Sequence, residues 1–175
     1  MNNTENYLIL DTETTGLGTT DEIIELGIIN MNGEVIYHSM FKPNCPINPK
    51  AEEIHGISLS SLQDAPKFSD QWHTIKNILF GKKVLIYNAT FDLRMLNQTA
   101  RLYGFDNLLT KFDTHCIMKS YAKYNGVINP KTGNYCWVKL EQALINEGIP
   151  SKQRHRATDD CLMTLALINK VGRIW

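Results

Sequence analysis

The chain has 175 residues, 43% of them hydrophobic, enough for one compact domain with a sizeable core and too few for two. Eighteen basic residues balance eighteen acidic ones, which excludes the global positive field of a protein that coats nucleic acid nonspecifically, so any such binding must be local. Cys45, Cys116, Cys136 and Cys161 form no CxxC pair, and no apolar run approaches a membrane span, so a zinc site, a disulfide framework and a membrane anchor are set aside.

In chain order, "MNNTEN" is polar with no apolar leader core, and a soluble, untargeted protein with free thiols in a reducing cytoplasm is expected. "YLIL", residues 7–10, reads as a short strand covered on both faces. After the turn "TTGLGTT" comes the strand-like "EIIELGIIN". Asn32-Gly33, the pair favoured in a tight two-residue hairpin, then leads into "EVIYHSMF". "KPNCPINPKAEEIHGIS" carries three prolines and reads as an extended loop with a short helix at 51–55. "SDQWHTIKNILFG" predicts a helix capped by Ser69, with Trp72, Ile75, Ile78 and Leu79 apolar and Gly81 stopping it. "KVLIY" is a second buried-type strand, followed by a helix over 91–103 closed by Gly104. "THCIMKSYAKY" is a candidate helix, a loop with "NPKTGN" follows, and the chain finishes with the helices "KLEQALINEG" and Ala157–Val171. Strands followed by alternating helix and strand predict an α/β domain with a mixed sheet.

Acids stand where this pattern calls for apolar residues. Asp11 and Glu13 follow the first strand one residue apart, so in an extended chain they project from the same face. Their repulsion must be offset by a basic side chain, a bound metal or a retained proton. Asp92 shares a helix face with Met95, Leu96 and Thr99, and read singly it is an acid in a first helical turn, stabilised by the helix dipole. Asp160 interrupts the stripe of Ala157, Met163, Thr164, Leu167 and Val171, where an ionised carboxylate is costly unless paired or bound to metal, whereas Asp159 points elsewhere. His155 lies five residues before Asp160. Four such acids have the composition to hold two hard divalent cations through oxygen. Two ions about 3.5–4 Å apart can stabilise the attacking and leaving oxygens of a phosphoryl transfer, and a neighbouring histidine can deprotonate water near neutral pH.

"DTETTG", "NATFD" and "HRATDD", in this order and spread over 7–167, resemble the three motifs of the DnaQ-like (DEDDh) 3′→5′ exonucleases, the family of the DNA polymerase III epsilon subunit and exonuclease X. "EIHGIS" resembles the family's HGI loop. The resemblance implies a ribonuclease H-like fold, a five-stranded mixed sheet flanked by helices, with the fifth strand near "KFDT" and one exonuclease domain over 1–175. It implies two Mg²⁺ or Mn²⁺ ions per active site held by Asp11, Glu13, Asp92 and Asp160, with Asp11 bridging and Asp92 acting partly through water. His155 would be the general base. Leu17 and His55 would contact the terminal nucleotide, together with Thr14, Thr15, Asn88 and Phe91 beside the motifs. Lys152, Arg154 and Arg156 are either phosphate contacts or a solvated charge run. The implied substrate is a single-stranded or frayed 3′ end, with DNA favoured over RNA by "DTETTG". The expected products are nucleoside 5′-monophosphates and the setting DNA repair or proofreading. A 3′→5′ exoribonuclease and a catalytically silent nucleic-acid-binding module are the alternatives, and the complete acid set disfavours the second. The chain reaches Trp175 without the tethering tail of epsilon subunits, so a free-standing enzyme, with a polymerase or repair-protein partner open, is expected over a tightly held subunit. The apolar pattern is accounted for by a core and leaves the oligomeric state open.

Overall fold

A computed structural model of the chain describes residues 6–105, 112–150 and 155–172. Five strands form one sheet: β1 (Tyr7–Thr14), β2 (Ile23–Asn30), β3 (Val35–Met40), β4 (Lys83–Ile86) and β5 (Asp113–Cys116). Their spatial order is β3-β2-β1-β4-β5. β2 runs antiparallel to both β1 and β3, whereas β4 and β5 run parallel to β1. This is the mixed sheet that the strand order in the sequence predicts. The helices are α1 (Pro49–His55), α2 (Phe68–Leu79), α3 (Ala89–Leu102), α4 (Ile117–Asn125), α5 (Leu140–Asn146) and α6 (Ala157–Val171), with a 3-10 turn at Leu59–Leu62 that the sequence pattern did not announce.

β1 lies at the centre of the sheet and both of its faces are covered, which is why its start reads as an unbroken apolar run. Leu8 and Leu10 pack with Phe68 and Trp72 of α2 and Met95 and Leu96 of α3. Ile9 packs on the other side with Tyr121 of α4, Leu144 of α5 and Cys161, Leu165 and Ile168 of α6. Because side chains alternate along a strand, Asp11 and Glu13 continue the face of Ile9, the one that α6 covers.

Four local expectations are corrected. The β2–β3 connection is a longer loop in which the Asn30 amide donates to the Glu34 carbonyl, with Gly33 left-handed at φ 83°. The Asn30 side chain itself braces this turn, accepting from the amides of Asn32 and Glu34. Helix α2 starts one residue before Ser69, and its cap is Lys67, whose amide donates to the Asp70 carboxylate, so the acid three residues on carries the signal. "THCIMKSYAKY" divides into the end of β5 and helix α4, and the fifth strand begins at Asp113. In α6 the buried set includes Cys161, Leu165 and Ile168, whereas Met163 and Val171 are only partly covered, because the helix packs on β1 and β2 and also against α5.

Candidate active site

The end of β1 delivers two carboxylates beneath the first turns of α6 and α3. One oxygen each from Asp11, Glu13 and Asp160 lies within 4.8 Å of the others. Asp160 is buried in the first turns of α6. Asp92, buried in the first turn of α3, stands to one side of this trio, its Oδ1 accepting from the Thr12 hydroxyl at 2.8 Å. Its charge nonetheless reaches Asp11. Burial, followed by the charges of Asp92, Asp160 and Glu13, raises the Asp11 carboxyl well above its ordinary range. Burial and then Asp160 raise Glu13 from 4.5 to about 9, and burial raises Asp92 from 3.8 to about 7 despite the Thr12 hydrogen bond. Left to themselves, Asp11 and Glu13 would hold protons at neutral pH. A cluster of hard oxygen donors with a surplus of negative charge fits a divalent cation of the Mg²⁺ or Mn²⁺ kind.

The position of α6 depends on two residues of β2 that the sequence reading passed over. Gly27 pairs with Asp11 across the β1–β2 ladder, and a Cβ at Gly27 would come within 2.8 Å of the Thr158 nitrogen and 2.9 Å of the Ala157 carbonyl carbon. Glycine therefore lets the start of α6 approach the sheet beside Asp11. Glu25, fully buried, pairs with Glu13 across the same ladder. Its carboxylate accepts from Arg156 Nε at 2.9 Å and Nη2 at 2.8 Å, from the Ala157 amide at 3.2 Å, and is 2.7 Å from His38 Nε2. Burial pushes its pKa up, but Arg156, His38 and the Ala157 amide outweigh that and hold it below its ordinary value. Arg156, one of the candidate phosphate contacts, is thus an internal partner of Glu25 that fastens the start of α6. Lys152 and Arg154 lie outside the described residues.

His155 precedes this anchored helix start. Its Nδ1 is 4.0 Å from Asp160 Oδ2 and its side chain is partly exposed. The backbone there is left-handed, φ 45°, which is uncommon for a residue other than glycine and costs on the order of 1–3 kcal/mol.

The other candidate contacts border the same end of β1. Leu17 is 76% exposed, at the tip of a loop held from within. Thr14 Oγ1 donates to the Gly16 carbonyl, and Thr15 Oγ1 and the Gly18 amide donate to Asp21. Gln98 Nε2 donates to the carbonyls of Gly18 and Asp21, and Arg94 to that of Leu17. The hydroxyls of Thr14 and Thr15 are therefore committed internally. His55 is buried, its Nδ1 accepting from the Ile57 amide, and burial lowers its pKa while the adjoining Thr14 backbone partly offsets this. Asn88 is the residue before α3. Phe91 is half-buried, with the Arg94 guanidinium 5.4 Å above its ring.

Glu25 was discoverable. An acid inside an otherwise apolar buried strand is the same signal that singled out Asp160. Gly27 offered a weaker hint, since a glycine inside a strand often marks a close backbone approach.

The chain is 36% identical over 174 residues to the uncharacterized exonuclease CP81 of Escherichia phage 186, with 97% of this chain and 89% of that protein covered. It is 33% identical over 129 residues to the DNA polymerase III epsilon subunit of Buchnera aphidicola, with 65% of this chain and 55% of the subunit covered. Against that subunit the chain spans about half the length. Among solved structures, exonuclease X in complex with 5′ overhanging duplex DNA superposes with TM-score 0.66 at 24% identity, covering 94% and 90% of the two chains. Exonuclease I superposes with TM-score 0.75 at 21% identity, covering 94% of this chain and 40% of that one. Both share the ribonuclease H-like fold. The RNase_T family, described as Exonuclease, a group of divalent-metal-dependent 3′→5′ hydrolytic nucleases, matches residues 8–168. With nearly its whole length matched, the chain belongs to this exonuclease family.

Proposed function

We propose that the protein, as one exonuclease domain, removes nucleotides from the 3′ ends of single-stranded DNA and releases nucleoside 5′-monophosphates. The observation that carries this is the convergence of Asp11, Glu13 and Asp160 within 4.8 Å, while Arg156, a base whose charge reaches Glu13, is committed to Glu25. In this reading Asp11, Glu13 and Asp160, with Asp92 at the side, would hold two Mg²⁺ or Mn²⁺ ions, which would supply Lewis acidity toward the scissile phosphodiester. His155 takes the proton of the attacking water. Its Nδ1 edge lies toward Asp160, which leaves Nε2 for the water and sets a carboxylate beside the imidazolium that forms. Leu17 wedges against the terminal base from its braced loop, and Phe91 and His55 complete the nucleotide's surroundings. Thr14 and Thr15 shape the loop that carries Leu17, and Asn88 leads into the helix that carries Asp92.

The "DTETTG" motif and relatives named as DNA polymerase III subunits support DNA as substrate and a replication or repair setting, with a polymerase or repair protein as partner. Among the described residues no helix is long and apolar enough to cross a membrane, and all four cysteines are free thiols, which supports action in a reducing cytoplasm. The test is digestion of a 5′-labelled single-stranded DNA oligonucleotide with Mg²⁺ or Mn²⁺, beside its RNA counterpart, an EDTA control and Asp11→Ala. The expected result is a ladder shortening from the 3′ end, faster on DNA, and absent with EDTA and in the variant. Cleavage by Asp11→Ala at the wild-type rate would overturn the assignment of the acids, and faster digestion of RNA would overturn the substrate.

A further inference from the structure

The charge balance of the whole chain is zero, so nucleic-acid affinity beyond the catalytic cleft has to come from a local patch. One stretch supplies it. From Ile117 to Leu140 the sequence holds four lysines (Lys119, Lys123, Lys131 and Lys139) and no acid. The same stretch exposes a cluster of large apolar and aromatic side chains: Trp137 is 69% exposed, and Tyr124, Val127, Ile128 and Tyr135 each between 43% and 56%. These side chains are not a frayed loop. Ile128 and Tyr135 form an antiparallel bridge, the Asn129 amide donates to the Asn134 carbonyl, and the Cys136 amide donates to that of Val127. The aromatic rings are thus presented by a small hydrogen-bonded arm.

The arm is bolted to the end of the sheet that carries the acids. Tyr87, the residue after β4, donates its hydroxyl to the Val138 carbonyl at 2.7 Å, and its own carbonyl accepts from the Met118 amide at 2.8 Å. The next residues are Asn88 and the first turn of α3 with Asp92. From there an open groove of about 480 Å³ runs between Thr90 and Leu93 of α3 and Lys119 and Lys123 of α4. Lys119 also lines a second groove, of about 560 Å³, whose other wall includes Tyr135 and Trp137 of the arm. Ligands of such sheets gather at the carboxyl ends of the parallel strands, and this pair of grooves leads away from that end.

We propose that this surface is the track for the single strand behind the 3′ end. Lys119 and Lys123 contact its phosphates, and Trp137 and Tyr135 form platforms on which its bases stack. The proposal rests on the exonuclease reading above and extends it from the reacting nucleotide to the strand that follows. The charge selects the occupant. Flat aromatic faces interleaved with lysines and free of carboxylates suit a polyanion with exposed bases, and base–aromatic stacking serves every sequence, as an exonuclease requires.

The test combines binding without metal and cleavage with it. Anisotropy of a labelled oligothymidylate about 16 nucleotides long, the upper end of the site size of such grooves, is measured in EDTA. The ratio of kcat/KM for that oligonucleotide to kcat/KM for a trinucleotide is measured in Mg²⁺. Trp137→Ala, whose thermal melt checks folding, should weaken binding and lower the ratio by about tenfold, within the range for loss of one stacked base, and Trp137→Phe should recover most of both. Lys119→Ala combined with Lys123→Ala should flatten the slope of log affinity against log salt by about 1.4, two phosphates at about 0.7 each. If the wild type digests DNA while these variants bind and digest the long oligonucleotide as it does, the track is overturned and the exonuclease reading stands. If the wild type digests nothing but its binding depends on Trp137, the exonuclease reading falls and the track stands. Binding in EDTA that ignores Trp137 and both lysines rejects the track and leaves the arm for a protein partner.

Discussion

Glu13, half-buried, and Glu25, fully buried, face each other across β1 and β2, yet they meet opposite fates. Glu25 has its cation built in. Arg156 clasps it with two nitrogens, His38 and the Ala157 amide complete its shell, and its pKa falls below the ordinary value despite burial. Glu13, one strand away, has acids for neighbours, and burial with the charge of Asp160 takes it to about 9. Glu25 is the more deeply buried of the two and yet the one that ionises readily, so burial does not decide what a carboxylate is for. Whether the chain itself supplies the counter-charge does. Glu25 acts as an anchor for the helix that carries Asp160. Glu13 belongs to a cluster whose counter-charge has to come from outside.

The sharpest way to break this contrast is to remove an acid from each side. Asp11→Ala should abolish cleavage while the metal-free Tm holds or rises, because one of a set of mutually repelling carboxylates is gone. A variant that keeps turning over in the oligonucleotide assay would end the idea that these acids act together. His155→Ala should slow cleavage by about 10²–10⁴-fold with metal affinity retained, as measured by single-turnover kinetics beside a Mn²⁺ titration. Loss of metal binding there would make His155 a ligand instead of a base. On the other strand, Arg156→Leu leaves Glu25 buried without its main partner. Because Arg156 is partly exposed, the cost should lie below the 3–5 kcal/mol of a fully buried pair, at about 2 kcal/mol. Thermal melting should then show Tm lower by about 4–8 °C. An unchanged Tm would remove the structural role assigned to Glu25.

Much of this was legible in the sequence because it was periodic. The run "YLIL", the spacing of Asp92 with Met95, Leu96 and Thr99, and the acid in the stripe of α6 all follow from which residues share a face. What was missed depended on partners far away in sequence. Arg156 meets Glu25 across 131 positions, and no local spacing distinguishes that pairing from a phosphate contact. Gly27 looked like a weak strand residue until the α6 backbone was found 2.8 Å from where its Cβ would be. Asn32-Gly33 suggested the tightest hairpin, but the Asn30 side chain supports a longer loop. The burial of Cys161, Leu165 and Ile168 reflects the second layer formed with α5, which a single-stripe reading of one helix does not contain.

The smallest expected effect, and the one that reads the missing counter-charge itself, is in Tm against pH, in EDTA and in excess Mg²⁺. Raised carboxyl pKa values mean that the folded chain binds more protons than the unfolded one between the ordinary and the shifted values. Stability in EDTA should therefore be fully present below about pH 4 and fall as pH climbs through about 7 for Asp92 and about 9 for Glu13. A cation bound only by the folded state takes the place of those protons and raises stability. Tm should decline by several degrees toward pH 9 in EDTA and be restored by Mg²⁺, with the restoration lost in Asp11→Ala. A Tm that ignores Mg²⁺ at high pH would contradict this, because the acids beside Glu25 would then have found their counter-charge within the chain.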